Sequence, residues 1–480
     1  MTKIKAILFV LASTSFLFAC GDNSEKTTEN ELPKSAVVSG EITNPKNDMV
    51  MIAGPKDSND TLWIDDAGSF SGEITLDSTA EYRFLHGGEY ARIFLSPGDS
   101  IHLSLDTKDI DQTLIFGGDH MAVNTYFVNQ VLNRENWNNK YPPRSIHELD
   151  PTVFVSAVDS MYSDQRETLQ KLAASGSADD LVEHEEISID FREAKEMIMY
   201  EPRRKQQLGV AEVRLPEGFY SFMDDLDLND PNNLEVPAFD SFMNTYLFLE
   251  VNKEHPGVVN DPGKQLTAMF DVIDEKITNS EIKQELYTSL TLDNLKYRGL
   301  NGMEEAMPKV KEVVTDSAQL ALIEEELAKW EDLATGQPAP GFTAVDIEGN
   351  SMSLADMKGE FVYLDVWATW CAPCRMEIPH LEEMQKSLKG ENIRFVSISL
   401  DEDKKAWKEM VTEDNLGGTQ IHIADEAKRQ FSKDYLITGI PRFMIFNPNG
   451  EIVTVKATRP SMGAEEELRE LLAKGATVMN

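Results

Sequence analysis

The chain has 480 residues, 41% of them hydrophobic, and 45 basic against 83 acidic side chains give a formal net charge of −38. That length exceeds what one hydrophobic core organises, so two or three domains are expected. The charge argues against nucleic-acid binding and against electrostatic docking on anionic lipid, and reads mainly as solubility.

Residues 1–19 read as an export signal. Lys3 and Lys5 form a basic start, Ile7 to Leu11 and Phe16 to Phe18 a short apolar core, and Ala19 precedes Cys20. Ser13, Thr14 and Ser15 break that core, which is too short to span a bilayer as a mature helix. The run Leu17-Phe18-Ala19-Cys20 resembles the lipobox of bacterial lipoproteins, although Phe18 is bulkier than the usual small residue. That resemblance implies diacylation of Cys20, a lipid anchor and a place in the bacterial cell envelope, facing the periplasm. A plain secretory signal with an incidental cysteine is the alternative. Residues 20–35 are polar, as a tether should be.

Residues 36–118 alternate and turn like an all-β sandwich or barrel. Short runs such as Val37 to Ile42, Met49 to Ala53, Phe70 to Leu76 and Ser100 to Leu105 are separated by Gly54-Pro55, Asp65 to Gly68, Gly87-Gly88 and Pro97-Gly98-Asp99. His86 and His102 stand singly and read as strand or surface histidines. Residues 119–335 read mainly as helices. Asp150-Pro151 supplies a start signal, and amphipathic stretches follow at Val153 to Leu172, Asp180 to Tyr200, Ala238 to Leu249, Lys264 to Ile277, Glu281 to Tyr297 and Ser317 to Leu333. The acidic run Asp224 to Asp230 lacks the glycine and distal glutamate of an EF-hand loop, so it reads as a solvated loop.

At Gly336 the pattern changes to strands alternating with helices, the signature of an α/β layer over residues 336–480. Phe361 to Trp367 is a nearly continuous apolar strand, expected to be buried on both faces. A helix is predicted from Cys371 to about Leu388, followed by strand Ile393 to Leu400, helix Asp403 to Glu413, strand Gln420 to Ile423 and helix Asp425 to Tyr435. A hairpin over Arg442 to Phe446 and Glu451 to Lys456 and a helix over Ala464 to Lys474 complete the region.

The chain contains three cysteines, and two lie in Trp370-Cys371-Ala372-Pro373-Cys374. A lone Cys-x-x-Cys is also half of a zinc site, but this region adds only His380 and His422, so no metal is expected. The spacing suits redox chemistry. A cysteine at a helix N-terminus has its thiolate favoured by free N–H groups and the helix dipole, and a second one turn later can close a disulfide. Cys371 is therefore the expected nucleophile and Cys374 the resolving thiol, with no cofactor.

Gly336 to Phe342, the strand Val362 to Trp367, the Trp-Cys-Ala-Pro-Cys core and Gly439-Ile440-Pro441 resemble the ResA/TlpA branch of the thioredoxin superfamily over residues 336–480. The resemblance implies a thioredoxin fold and membrane-tethered thiol-disulfide exchange outside the cytoplasm. It makes Pro441 a cis-proline beside the pair, leaving the backbone at Ile440 free for substrate, and puts Trp370 and Pro373 on the substrate-facing surface. Glu377 corresponds to an active-site glutamate of ResA type, and Asp365 to the buried aspartate of thioredoxins; holding both acids departs from the usual ResA pattern. Pro379 corresponds to a helix-kinking proline. The N-terminal regions bear a looser resemblance to the extensions of such lipoproteins in Bacteroidetes-type bacteria.

Acids near the thiols can accept the Cys374 proton and disfavour the thiolate, so a reductant is expected rather than an oxidant. The partners implied are disulfide-containing client proteins, with apocytochrome c as one class, and a membrane electron-donor thiol protein. A disulfide oxidase or isomerase and a binding lipoprotein with an accessory redox domain are the alternatives. A thiol peroxidase is disfavoured because Ala368 stands where its threonine is expected.

Overall fold

The computed structural model describes residues 35–478, apart from 55–58, 77, 143–144, 177 and 259–261. The predicted signal, most of the tether and the proposed anchor Cys20 lie outside the described residues. The described residues fall into two compact units, one within 35–140 and 170–178 and the other within 141–169 and 179–478.

The described part of the first unit is the expected sandwich. Strands β1 (Ser35–Thr43), β4 (Ser69–Thr75), β7 (Ser100–Asp106) and β8 (Ile115–Gly118) form one sheet in the order β4-β1-β7-β8. The second sheet, β3-β2-β5-β6, comprises β2 (Met49–Ala53), β3 (Asn59–Trp63), β5 (Ala80–His86) and β6 (Glu89–Leu95). Strict alternation drives this packing: Val38, Ile42, Phe70 and Leu103 of one sheet share a core with Val50, Ile52, Phe84 and Ile93 of the other. His86 is structural. Its Nε2 accepts the Lys46 N–H at 3.0 Å, and its Nδ1 lies 2.9 Å from the Met49 carbonyl. A short helix α1 (Ile110–Thr113) precedes β8, and α2 (Met121–Lys140) follows it.

Helices α3 (Pro151–Ala173), α4 (Asp179–Leu208), α5 (Pro237–Glu254), α6 (Pro262–Lys276), α7 (Ser280–Arg298), α8 (Met303–Val313) and α9 (Ser317–Glu331) make the middle region helical, as expected. Three differences from the sequence reading have local causes. The polar half of α2, from Asn133 to Lys140, blurs its apolar stripe. Pro308 interrupts the pattern of α8, yet Met303, Ala306 and Val310 are buried and carry the helix past it. Helix α4 likewise continues through Pro202 to Leu208 instead of ending at Tyr200.

The α/β region forms a seven-stranded sheet in the order β10-β9-β13-β12-β11-β14-β15. Its strands are β9 (Thr343–Asp346), β10 (Ser351–Ser353), β11 (Phe361–Trp367), β12 (Ile393–Ser399), β13 (Thr419–His422), β14 (Arg442–Phe446) and β15 (Ile452–Thr454). Helices α10 (Ala372–Ser387), α11 (Lys404–Glu413), α12 (Asp425–Asp434) and α13 (Ala464–Val478) complete it. Central β11 pairs parallel with β12 and antiparallel with β14, and every one of its residues is buried. Val362, Leu364 and Val366 join a core that continues through Trp330 and Leu333 into the helices. Phe361 and Tyr363 face the opposite side with Leu381 and Met384 of α10. Asp365 falls on that second side by the two-residue period of the strand.

Candidate active site

Strand β11 ends at Trp367, and residues 368–370 turn the chain so that Cys371 becomes the N-cap of α10. Cys371 Sγ accepts the Cys374 N–H at 3.2 Å. The two cysteines form a disulfide with Cα atoms 5.3 Å apart. The pair sits where unpaired amides and the helix dipole favour negative charge on the first sulfur. Cys371 is 4% exposed and Cys374 2%, whereas Trp370 beside them is 70% exposed. The cysteines pack with Trp367, Ala368, Trp407 and Val411, and Ile440 closes against this cluster. The Ile440–Pro441 peptide is cis. Pro373 lies in the exposed first turn of α10.

The two acids singled out in the sequence are both buried. Asp365 lies opposite Ser397 of β12 and lines a narrow crevice with Ile378, Leu381 and Gln385 of α10. Burial pushes its pKa from 3.8 up to about 7; the Ser397 hydroxyl opposes this and the nearby Glu377 charge adds to it. Glu377, on the first turns of α10, accepts the Ser461 hydroxyl at 2.8 Å and the Ser461 N–H at 3.0 Å. Ser461 belongs to the short turn Pro460–Met462 before α13, so Glu377 ties that turn to the redox helix.

Sequence reasoning missed a third buried carboxylate. Asp401, just past β12, accepts the Thr369 N–H at 3.0 Å, the Thr369 hydroxyl at 2.7 Å and the Ser399 hydroxyl at 2.8 Å. It thereby fixes the turn between β11 and Cys371. His422 Nε2 lies 2.8 Å from the Asp401 carbonyl, and its ring sits 5.3 Å from Trp407, which packs on the cysteines. An acid at the carboxyl end of a strand adjoining β11 was the available signal, since open α/β sheets build sites there. Ser461 had none, being 84 residues from its partner. Among the described residues no three His, Cys, Asp or Glu side chains gather as a metal cluster. An open groove of about 760 Å³ runs beside the pair, lined by Trp370, Leu400, Glu402, Lys428 and Arg429 among others.

A buried parallel strand delivering a Cys-x-x-Cys disulfide to the first turn of a helix, with a cis-proline loop against it, defines a thioredoxin-like domain. Residues 335–455 match the AhpC/TSA family model. The expected ResA likeness is also borne out. Thiol-disulfide oxidoreductase ResA of Bacillus cereus is 26% identical over 160 residues, which is 33% of this chain and 91% of the relative. ResA of Bacillus subtilis is 27% identical over 147 residues, 31% of this chain and 80% of the relative. Among solved structures, the thioredoxin domain of a Bacteroides vulgatus thiol-disulfide oxidoreductase is 29% identical. That match covers 29% of this chain and 98% of the other, with a TM-score of 0.28.

Proposed function

We propose that the chain is an extracytoplasmic thiol-disulfide oxidoreductase that reduces disulfides in client proteins through Cys371 and Cys374. The observation that carries this reading is the buried disulfide at the start of α10, directly after the strand in which burial pushes the pKa of Asp365 up to about 7. In the reduced enzyme the Cys371 thiolate attacks one sulfur of a client disulfide, forming a mixed disulfide and releasing the client's other sulfur as a thiolate. Cys374 then gives up its proton, attacks Cys371 Sγ and expels the second client thiol. The enzyme is left as the Cys371–Cys374 disulfide, the form seen here, and two electrons and two protons from a donor dithiol restore it. Asp365, with a pKa of about 7, is suited to take the Cys374 proton and return it.

Trp370, Pro373 and the backbone at Ile440 are the proposed client contacts, with Trp370 at the lip of the open groove. Cys20 is the proposed lipid anchor in the cell envelope, where a membrane thiol protein would act as donor. Apocytochrome c is one client class that a ResA-like reductase would serve. Two buried acids and no cation between the cysteines support reduction over oxidation. The reduction potential of the Cys371–Cys374 couple tests direction. A value close to the thioredoxin figure of about −270 mV is expected, and one near the DsbA figure of about −120 mV overturns it. In cells, Cys374→Ser should accumulate mixed disulfides on Cys371.

A further inference from the structure

A second polar site lies away from the cysteines, where α7 and α9 meet the end of β15. A cavity of about 50 Å³ is lined by Arg298, Asn301, Trp330, Thr335 and Lys456 together with neighbouring backbone. It has room for a few waters or one compact anion. Its cations lack counter-charges. Lys456 Nζ donates to the Lys296 carbonyl at 2.8 Å and lies 5.4 Å from the Trp330 ring. Arg442, buried behind it, donates to the carbonyls of Val455 and Leu436, both at 3.3 Å. Among the described residues, Arg298, Arg442 and Lys456 form no ion pair, in a chain where acids outnumber bases 83 to 45.

The Trp330 side chain, which lines the cavity, also has a buried indole N–H without an acceptor. Gly299 lets the walls close. Its φ is +66°, and a Cβ there would meet the Trp330 ring at 3.0 Å and the Lys456 stem at 3.4 Å. Burial holds all three cations below their ordinary values, Arg442 at about 10 and Lys456, with Arg442 beside it, at about 7; no carboxylate opposes this. Cation–π contact and carbonyl oxygens hold Lys456 in place but leave its charge uncompensated.

We propose that this cavity binds a compact oxyanion, a phosphate or the carboxylate of a small molecule, between Arg298 and Lys456 with Arg442 behind them. A guanidinium offers paired N–H donors to such a group and the lysine a point charge. The site is independent of the thiol chemistry, so neither reading depends on the other.

Calorimetric titration of the full chain with inorganic phosphate, and separately with acetate, in low-chloride buffer tests it. Saturable one-site binding of at least one anion is expected, weakened at least tenfold by Arg298→Gln and by Lys456→Gln. The bound anion should raise Tm in the parent protein and not in the variants. Phosphate binding alone identifies a phosphate site, and acetate binding alone a carboxylate site. Binding of neither anion, or binding unchanged in the variants, overturns the proposal. Arg298 is only half-buried, so Arg298→Gln decides the matter should Lys456→Gln fail to fold.

Discussion

Two buried aspartates of the redox domain, one in a loop and one in mid-strand, are solvated in opposite ways. Asp401, in the loops at the strand ends, is met by the amide and hydroxyl of Thr369 and the hydroxyl of Ser399. Asp365, in mid-strand, has the Ser397 hydroxyl to set against full desolvation, and its pKa rises to about 7. The same side chain thus serves as an anchor for the Thr369 turn at one position and, in the mechanism proposed above, as a proton exchanger at the other. Burial alone does not assign the role; the number of donors aimed at the carboxylate does.

Asp365→Asn should produce the largest change in stability. The folded carboxyl keeps a proton that the unfolded chain releases, so the group's contribution is complete below about pH 4 and lost as pH rises to about 7. At about 1.36 kcal/mol per pH unit the loss reaches roughly 4 kcal/mol as an upper limit. Urea unfolding of the oxidised protein between pH 4 and 8 should show that slope, and Asp365→Asn should flatten it and stabilise the protein at pH 8. A slope that survives the substitution would place the pH dependence elsewhere.

Asp401→Ala should cost about 3 kcal/mol, because it strands the half-buried Thr369 amide and hydroxyl and the fully buried Ser399 hydroxyl. Denaturant midpoints measure this, and a change below about 1 kcal/mol would break the contrast between anchor and exchanger. Ser461→Ala removes one of two donors to Glu377 and should cost about 1 kcal/mol by the same measurement. Trp370→Ala should alter stability by no more than about 0.5 kcal/mol, since the ring is largely exposed. It should nonetheless slow reduction of a protein disulfide while leaving the reaction with a small disulfide unchanged. Equal slowing of both would remove Trp370 from the client surface.

The site was legible where chemistry and chain order coincide. Trp370, Cys371, Pro373 and Cys374 lie within five positions, Asp365 interrupts an apolar strand, and Gly439-Ile440-Pro441 is a short local motif. The layers around β11 were legible too, because a strand apolar at all but one of its seven positions has to be covered on both faces. What escaped was assembled across distance. Asp401 reaches back 32 residues to Thr369, Ser461 reaches 84 to Glu377, and Lys456 reaches 160 to the Lys296 carbonyl. No periodicity encodes such pairs. Helices α2 and α8 escaped for the converse reason, since their local pattern was weak or broken while tertiary packing carried them.

The unbroken core that joins the middle helices to one face of the redox sheet makes the dithiol hostage to residues far from it. Phe239, Ile273, Val310 and Trp330 belong to the same apolar mass as Val362, Leu364 and Met444. Under mild heat or denaturant these parts should therefore melt in a single step rather than shed the helices first. A lesion deep among the helices could then silence the enzyme in a cell by lowering its abundance, with both cysteines intact.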